Sequence, residues 1–173
     1  TTEIYTLSLH DALPIYEIYE VEDKSQLTEN LQRDGACFVT YKIEGDLRGC
    51  IGSIYPEIPL YKEVIRRAID SASHDYRFYP VSKDEVDKID IEISVLSPIT
   101  DIKSYNEFEP GRHGIILNKS GRKSLFLPQV APEQGWNREE TLVHLSAKAG
   151  LPKNAWQSGA SFQVFTAQVF SEK

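Results

Sequence analysis

Apolar residues along the chain recur at two spacings, every second residue and every third or fourth, and the changes between them mark its elements. Leu27 and Leu31, four apart, predict a short helix over residues 25–34, stopped by Gly35. Residues 36–43 are rich in aromatic and β-branched side chains and predict a strand. Glu44, Gly45 and Asp46 turn the chain, and residues 47–54 return as the second arm of a hairpin. Pro59 suits the first turn of a helix, where its missing N–H costs nothing. Leu60, Val64, Ala68 and Ala72 recur at fourth positions with Ile65 and Ile69 beside them, so an amphipathic helix runs to near His74. Residues 74–80 are polar and aromatic together and predict an ordered loop. Ser82 and Glu85 make a capping-box pattern over a second, short helix.

Further on, Ile89, Ile91, Ile93 and Val95 alternate with Asp90, Glu92 and Ser94, the pattern of a half-buried strand that Ser97-Pro98 ends. Residues 102–110 read as irregular chain with one helical turn. Residues 115–117 and 123–127, joined by the turn 118–121, predict a second hairpin. Asn137 and Glu140 cap a helix that carries Leu142, Leu145 and Ala149 inward and ends at Gly150. Residues 162–170 predict one closing strand. Hairpins interleaved with single helices imply an α+β fold, with mixed or antiparallel sheet hairpins and packed helices, rather than a doubly wound parallel sheet. No repeat, linker or low-complexity stretch divides the 173 residues, so one domain is expected.

Composition changes this picture at two points. The net charge of -7 argues against a broad basic face for nucleic acid, although Lys62, Arg66 and Arg67 lie close together. The apolar runs are too short to span a membrane. The chain holds no methionine, even at its first position, so the natural N-terminus is expected to lie elsewhere. Tyr5 to Ile15 resembles the in-frame translation of a widely used sequencing adapter. Residues 1–15 are therefore set aside, and His10 and Asp11 with them.

The densest chemistry lies in Leu47-Arg48-Gly49-Cys50-Ile51-Gly52. Cys50 is a candidate nucleophile, and a cation such as Arg48 on the same strand face would favour its thiolate. Gly49 and Gly52 remove side chains, so a ligand or a packed helix could come close to the backbone. With a turn centred on Gly45, Cys50 falls opposite Thr40. Cys37 is then three residues away, about 10 Å along the strand. A disulfide needs Cα atoms within about 7 Å, so both thiols are expected to be free, consistent with a cytoplasmic setting. Of the remaining histidines, His113 lies between Gly111 and Gly114 in a loop that allows close approach, and is the preferred general base. His144 reads as a surface or packing residue. Asp75 and Arg77 are either a loop-fixing ion pair or ligand-facing groups. No Cys-x-x-Cys and no helically spaced histidine pair suggests a zinc site, and no cofactor is implied.

These residues carry a resemblance. The six-residue motif, Asp75-x-Arg77-Phe78, Ile93-Ser94-Val95-Leu96, Gly111-x-His113-Gly114, Leu127-Pro128-Gln129-Val130-Ala131, Gln134-Gly135-Trp136 and Lys148-Ala149-Gly150-Leu151 together resemble the AMMECR domain family. Its prokaryotic members are called system protein A of the AmmeMemoRadiSam group. The resemblance implies an α+β fold with two unequal lobes meeting near the motif, spanning residues 16–173. It also implies two partners, a Memo-like protein and a radical S-adenosylmethionine (SAM) enzyme, and brings no reaction with it. Family members begin with a further helix, in whose place the adapter-like stretch stands. A domain truncated at its N-terminus is therefore expected. Tyr76 also departs from the proline or small residue usual there.

Two functions fit. In the first, Cys50 is the nucleophile or covalent carrier of an enzyme or ligand-binding protein and His113 its base. A small anionic ligand is then held by Arg48, Gly49, Gly52, Asp75 and Arg77. In the second, the motif is structural and the chain is an interaction module that docks a partner through the exposed loop 76–80.

Overall fold

A computed structural model of the chain describes residues 27–172. The chain forms two units. The first comprises residues up to Leu96 together with the C-terminal stretch from Gln168, and the second Ser97–Ala167. The adapter-like stretch, and with it the expectation of a truncated N-terminus, lies outside the described residues.

The first unit opens with α1 (Glu29–Gln32), a single turn that buries Leu31. It is shorter than the apolar spacing predicts, because the chain becomes extended at Arg33 and Asp34 bridges to Pro59. Strands β1 (Cys37–Ile43) and β2 (Asp46–Gly52) form the expected hairpin. Its turn residues Glu44 and Gly45 both have positive φ, 54° and 89°, the signature of the tight turn that matches strand twist. Helix α2 (Leu60–Ser73) follows Pro59, and α3 (Lys83–Val86) follows the capping box of Ser82 and Glu85. Strand β3 (Ile89–Leu96) completes the run. With β8 (Ala167–Ser171) from the C-terminal stretch, the sheet order is β2-β1-β3-β8.

Strand parity decides which face is buried. Cys37, Val39 and Tyr41 alternate along β1 and pack with Leu60, Tyr61 and Val64 of α2. The Tyr41 hydroxyl donates to the Ala68 carbonyl at 2.9 Å, so the buried phenol keeps a polar partner. Phe38, Thr40 and Lys42 occupy the other face.

The second unit holds β4 (Thr100–Ile102), β5 (Gly114–Lys119), β6 (Arg122–Phe126) and β7 (Ser161–Phe165), in the order β4-β7-β5-β6. Helices α4 (Val130–Gln134) and α5 (Arg138–Lys148) lie between β6 and β7 in sequence. Asn137 and Glu140 form the predicted capping box of α5, and Leu142 and Leu145 are fully buried with Phe108, Ile115, Leu117 and Trp156.

Three expectations need correction. The closing strand is two strands: β7 pairs in the second sheet, and β8 (Ala167–Ser171) joins the first. Apolar residues continue on both sides of Thr166, so the sequence pattern alone does not reveal the break. Ile102, expected to open an irregular stretch, instead ends β4 and pairs with Phe162 of β7. Helix α4 was not anticipated, since a Pro-containing turn of five residues carries no periodic signal. The pairings of β1 with β2 and β3, of β5 with β6 and β7, and of β4 with β7 are antiparallel. The fold is α+β.

Candidate functional site

The motif occupies β2, the edge strand of the first sheet. Cys50 stands opposite Thr40 as expected, although next to the turn Ile43 pairs with Asp46 and Lys42 with Leu47, one residue out of the register of a turn centred on Gly45; both cysteines are free. Between the pairs Tyr41–Gly49 and Lys42–Leu47 the register shifts, leaving Arg48 as the extra residue of a bulge. The bulge redirects Arg48. Its guanidinium makes a two-pronged ion pair with Glu85 of α3, at 2.7 and 3.0 Å, and reaches the Pro80 carbonyl at 3.4 Å. That pair holds the Glu85 carboxyl down at about 2. Arg48 therefore ties α3 to the sheet edge.

The glycines are needed for close packing. A Cβ on Gly49 would stand 2.4 Å from the Ser71 carbonyl oxygen of α2. One on Gly52 would stand 2.3 Å from the Phe38 ring. Neither collision can be relieved by a small shift, because one partner is backbone and the other a ring held against its own strand.

Cys50 is held at three atoms. Its N–H donates to Asp75 Oδ2 at 2.9 Å, and its carbonyl accepts from Arg77 Nη2 at 3.2 Å. Its Sγ accepts from the Thr40 hydroxyl at 3.2 Å. Asp75 is buried, 5% exposed, and is also bound by the Arg77 guanidinium at 2.6 and 2.8 Å and by the Arg77 N–H. The guanidinium bonds hold its carboxyl at about 2, against the cost of burial. Asp75 and Arg77 thus stand where a neighbouring strand would be, one accepting and one donating to the edge peptide. Edge strands are commonly protected by such cover.

Ser71 was not singled out from sequence. Its hydroxyl accepts from the Ile51 N–H and donates to the Val39 carbonyl, both at 2.8 Å, bridging two residues that face each other across the hairpin. It is 2% exposed. The signal was present in the sequence: Ser71 falls on the same helix face as Val64 and Ala68, a polar residue within an apolar stripe.

Burial raises the Cys50 thiol above its ordinary value. The Thr40 bond and the Arg77 charge oppose this, while Asp75 and Glu92 add to it. The cation acting on the thiol is therefore Arg77, with Arg48 engaged on Glu85. Glu92 is itself paired with Lys42 at 3.1 Å. Cys37 is buried beneath the sheet and its thiol is pushed up to about 12.

His113 belongs to the second unit. Its Nδ1 accepts the Glu109 N–H at 3.2 Å, so the neutral ring carries its proton on Nε2 and presents a donor there. Arg48, Gly49, Cys50, Gly52, Asp75 and Arg77 are together in the first unit. His144 is exposed and stacks on Trp136 with ring centroids 3.9 Å apart. Among the described residues, no group of three or more His, Cys, Asp or Glu side chains is placed to hold a metal ion. Nor, among the described residues, is any helix long and apolar enough to cross a membrane.

These features define an α+β protein whose edge strand carries a thiol inside a clamp of buried polar side chains. Residues 10–170 match the AMMECR1 family model, and the chain belongs to that family. A protein of Aquifex aeolicus is 36% identical over 179 residues, covering 99% of this chain and 92% of that one. A protein of Methanopyrus kandleri is 42% identical over 164 residues, covering 89% and 79%. The crystal structure of the uncharacterized protein PH0010 from Pyrococcus horikoshii is similar at a TM-score of 0.87 and 33% identity, covering 99% of this chain and 89% of that one.

Proposed function

We propose that this chain is a non-catalytic interaction module in which the motif around Cys50 is structural. The observation that carries it is the occupation of the motif's own backbone. A thiol that transfers acyl groups uses free N–H groups at or next to the nucleophile to stabilise the oxyanion. Here the Cys50 N–H is held by Asp75 and the Ile51 N–H by Ser71. The thiol is held in its neutral form by burial. Arg48, Gly49 and Gly52 are likewise committed to Glu85, Ser71 and Phe38. The partners the family resemblance implies, a Memo-like protein and a radical SAM enzyme, are the proteins such a module would join. Two free thiols fit a cytoplasmic setting.

A second reading keeps Cys50 as nucleophile, with a small anionic ligand on Arg77, within the first unit. It draws on the Thr40 hydroxyl bond to Sγ and the Arg77 side chain, which is 42% exposed. Cys50→Ser separates the two. For a module, the variant unfolds within a few degrees of the parent and binds the Memo-like protein equally well. Iodoacetamide then labels the parent thiol with a pH midpoint above the free-cysteine value of about 8.5. A folded variant that no longer binds, or a labelling midpoint below that value, would refute the structural reading.

A further inference from the structure

We infer that residues 74–80 form a flap, hinged between Ala72 and Val81, that opens without unfolding the first unit and governs access to the backbone of Cys50. The inference goes beyond the interaction-module reading and holds under either reading of Cys50. The loop is closed at its base. The Val81 N–H donates to the Ala72 carbonyl at 2.8 Å, and Val81 is buried, so the chain is fixed where it leaves α2 and where it approaches α3. Loops whose ends meet in this way behave as compact units of their own.

Beyond its base the loop is lightly held. Among the described residues, three hydrogen bonds join it to β2. Asp75 Oδ2 accepts the Cys50 N–H at 2.9 Å, Arg77 Nη2 donates to the Cys50 carbonyl at 3.2 Å, and Arg48 Nη2 reaches the Pro80 carbonyl at 3.4 Å. Apolar burial adds little to them. Tyr76 and Tyr79 are 95% and 90% exposed, His74 and Pro80 are exposed as well, and the Phe78 ring is half-buried. Segments with few buried apolar contacts open at a fraction of the cost of global unfolding.

Opening also leaves no charge alone. Asp75 and Arg77 are bonded to each other at 2.6 and 2.8 Å, so they leave the strand as a pair and meet water together. The bonds from the Arg77 and Phe78 N–H groups to Asp75 are internal to the loop and travel with it. The Arg48–Glu85 pair lies past the base and stays made, so α3 remains tied to the sheet edge. What opening uncovers is the N–H and carbonyl of one edge residue, the pair that an antiparallel strand would engage. The next amide is independent of the flap, because the Ile51 N–H is held by Ser71 of α2. Two neighbouring amides therefore report two different events.

The test is amide hydrogen exchange of the full chain followed by NMR, in water and in about 1 M urea, with rates corrected for each residue's intrinsic exchange. The Cys50 amide should exchange at least about 10-fold faster than the amides of Ile51 and Val81. Its rate should change less than about twofold in the urea, because lifting a short loop exposes little surface. Arg77→Gln removes the donor to the Cys50 carbonyl and should quicken Cys50 exchange by about 10-fold more, with Val81 unchanged. Should that variant not fold, the parent measurement decides alone. Equal protection of Cys50 and Ile51, with the same urea dependence, would mean that the loop moves only with the sheet and would overturn the flap. Loss of protection at Val81 together with Cys50 would overturn the hinge. Cys50 exchange unaltered by Arg77→Gln would overturn the latch.

Discussion

At Cys50 the side chain is the least constrained part of the residue. Its N–H and carbonyl are held by the ion pair of buried Asp75 and exposed Arg77, while its sulfur meets one hydroxyl. Cys50 does stand opposite Thr40, but turn length and strand period alone would not put it there: Ile43 pairs with Asp46 and Lys42 with Leu47, and the bulge at Arg48 shifts the later pairs by one residue. Parity could not show that Arg48 is the bulged residue, since a bulge arises from tertiary strain at the strand edge. Asp75 gives this scale its prediction. Its carboxyl sits at about 2 in the folded chain and near 3.9 when unfolded. A depressed folded value stabilises at higher pH. The contribution is complete above about pH 5 and is lost as pH falls through 4 toward 2. Asp75→Asn should therefore be less stable than the parent at pH 7, with the gap closing between about pH 4 and 2. Urea unfolding across that range measures it, and a gap independent of pH would show that the ion pair contributes nothing.

At the scale of elements, the first hairpin, α2, α3, β3 and α5 were legible, because each carries a strong period together with a turn or capping residue. The two-way split of the last strand, the short β4 and α4 were not, since each depends on which sheet or core the chain meets. The contact between α2 and the hairpin is the element-scale feature with most at stake. Ser71 reaches between β1 and β2, and Gly49 lets the helix carbonyl come close enough for it to do so. Ser71→Ala leaves the Ile51 N–H and the Val39 carbonyl without their bridging partner, at a cost of about 1–3 kcal/mol. Denaturant unfolding should show that loss, and hydrogen exchange should quicken at the Ile51 amide. An Ile51 amide protected as in the parent would mean that the strands close up without the serine.

At the scale of the molecule, the described residues form two cores, one in each unit, and neither holds a covalent cross-link. Cys37 is fully buried in the first core and Cys50 lies on the opposite face of its sheet. The unfolding midpoint should therefore be the same, within about 1 °C, with and without dithiothreitol. A midpoint lowered by reductant would show that the thiols pair. Apolar periodicity, turn chemistry and a handful of motifs determined on their own that this chain is α+β, that its first two strands form a hairpin and that it belongs to this family. These are properties of local spacing, which neighbours along the chain dictate. Which groups enclose the motif was decided only in three dimensions. Asp75, Ser71 and Glu85 are 20 to 37 residues from their partners in β2, and only folding closes those distances. The same folding turns Tyr76 and Tyr79 outward and Phe78 inward, a choice that no spacing in a seven-residue loop could reveal.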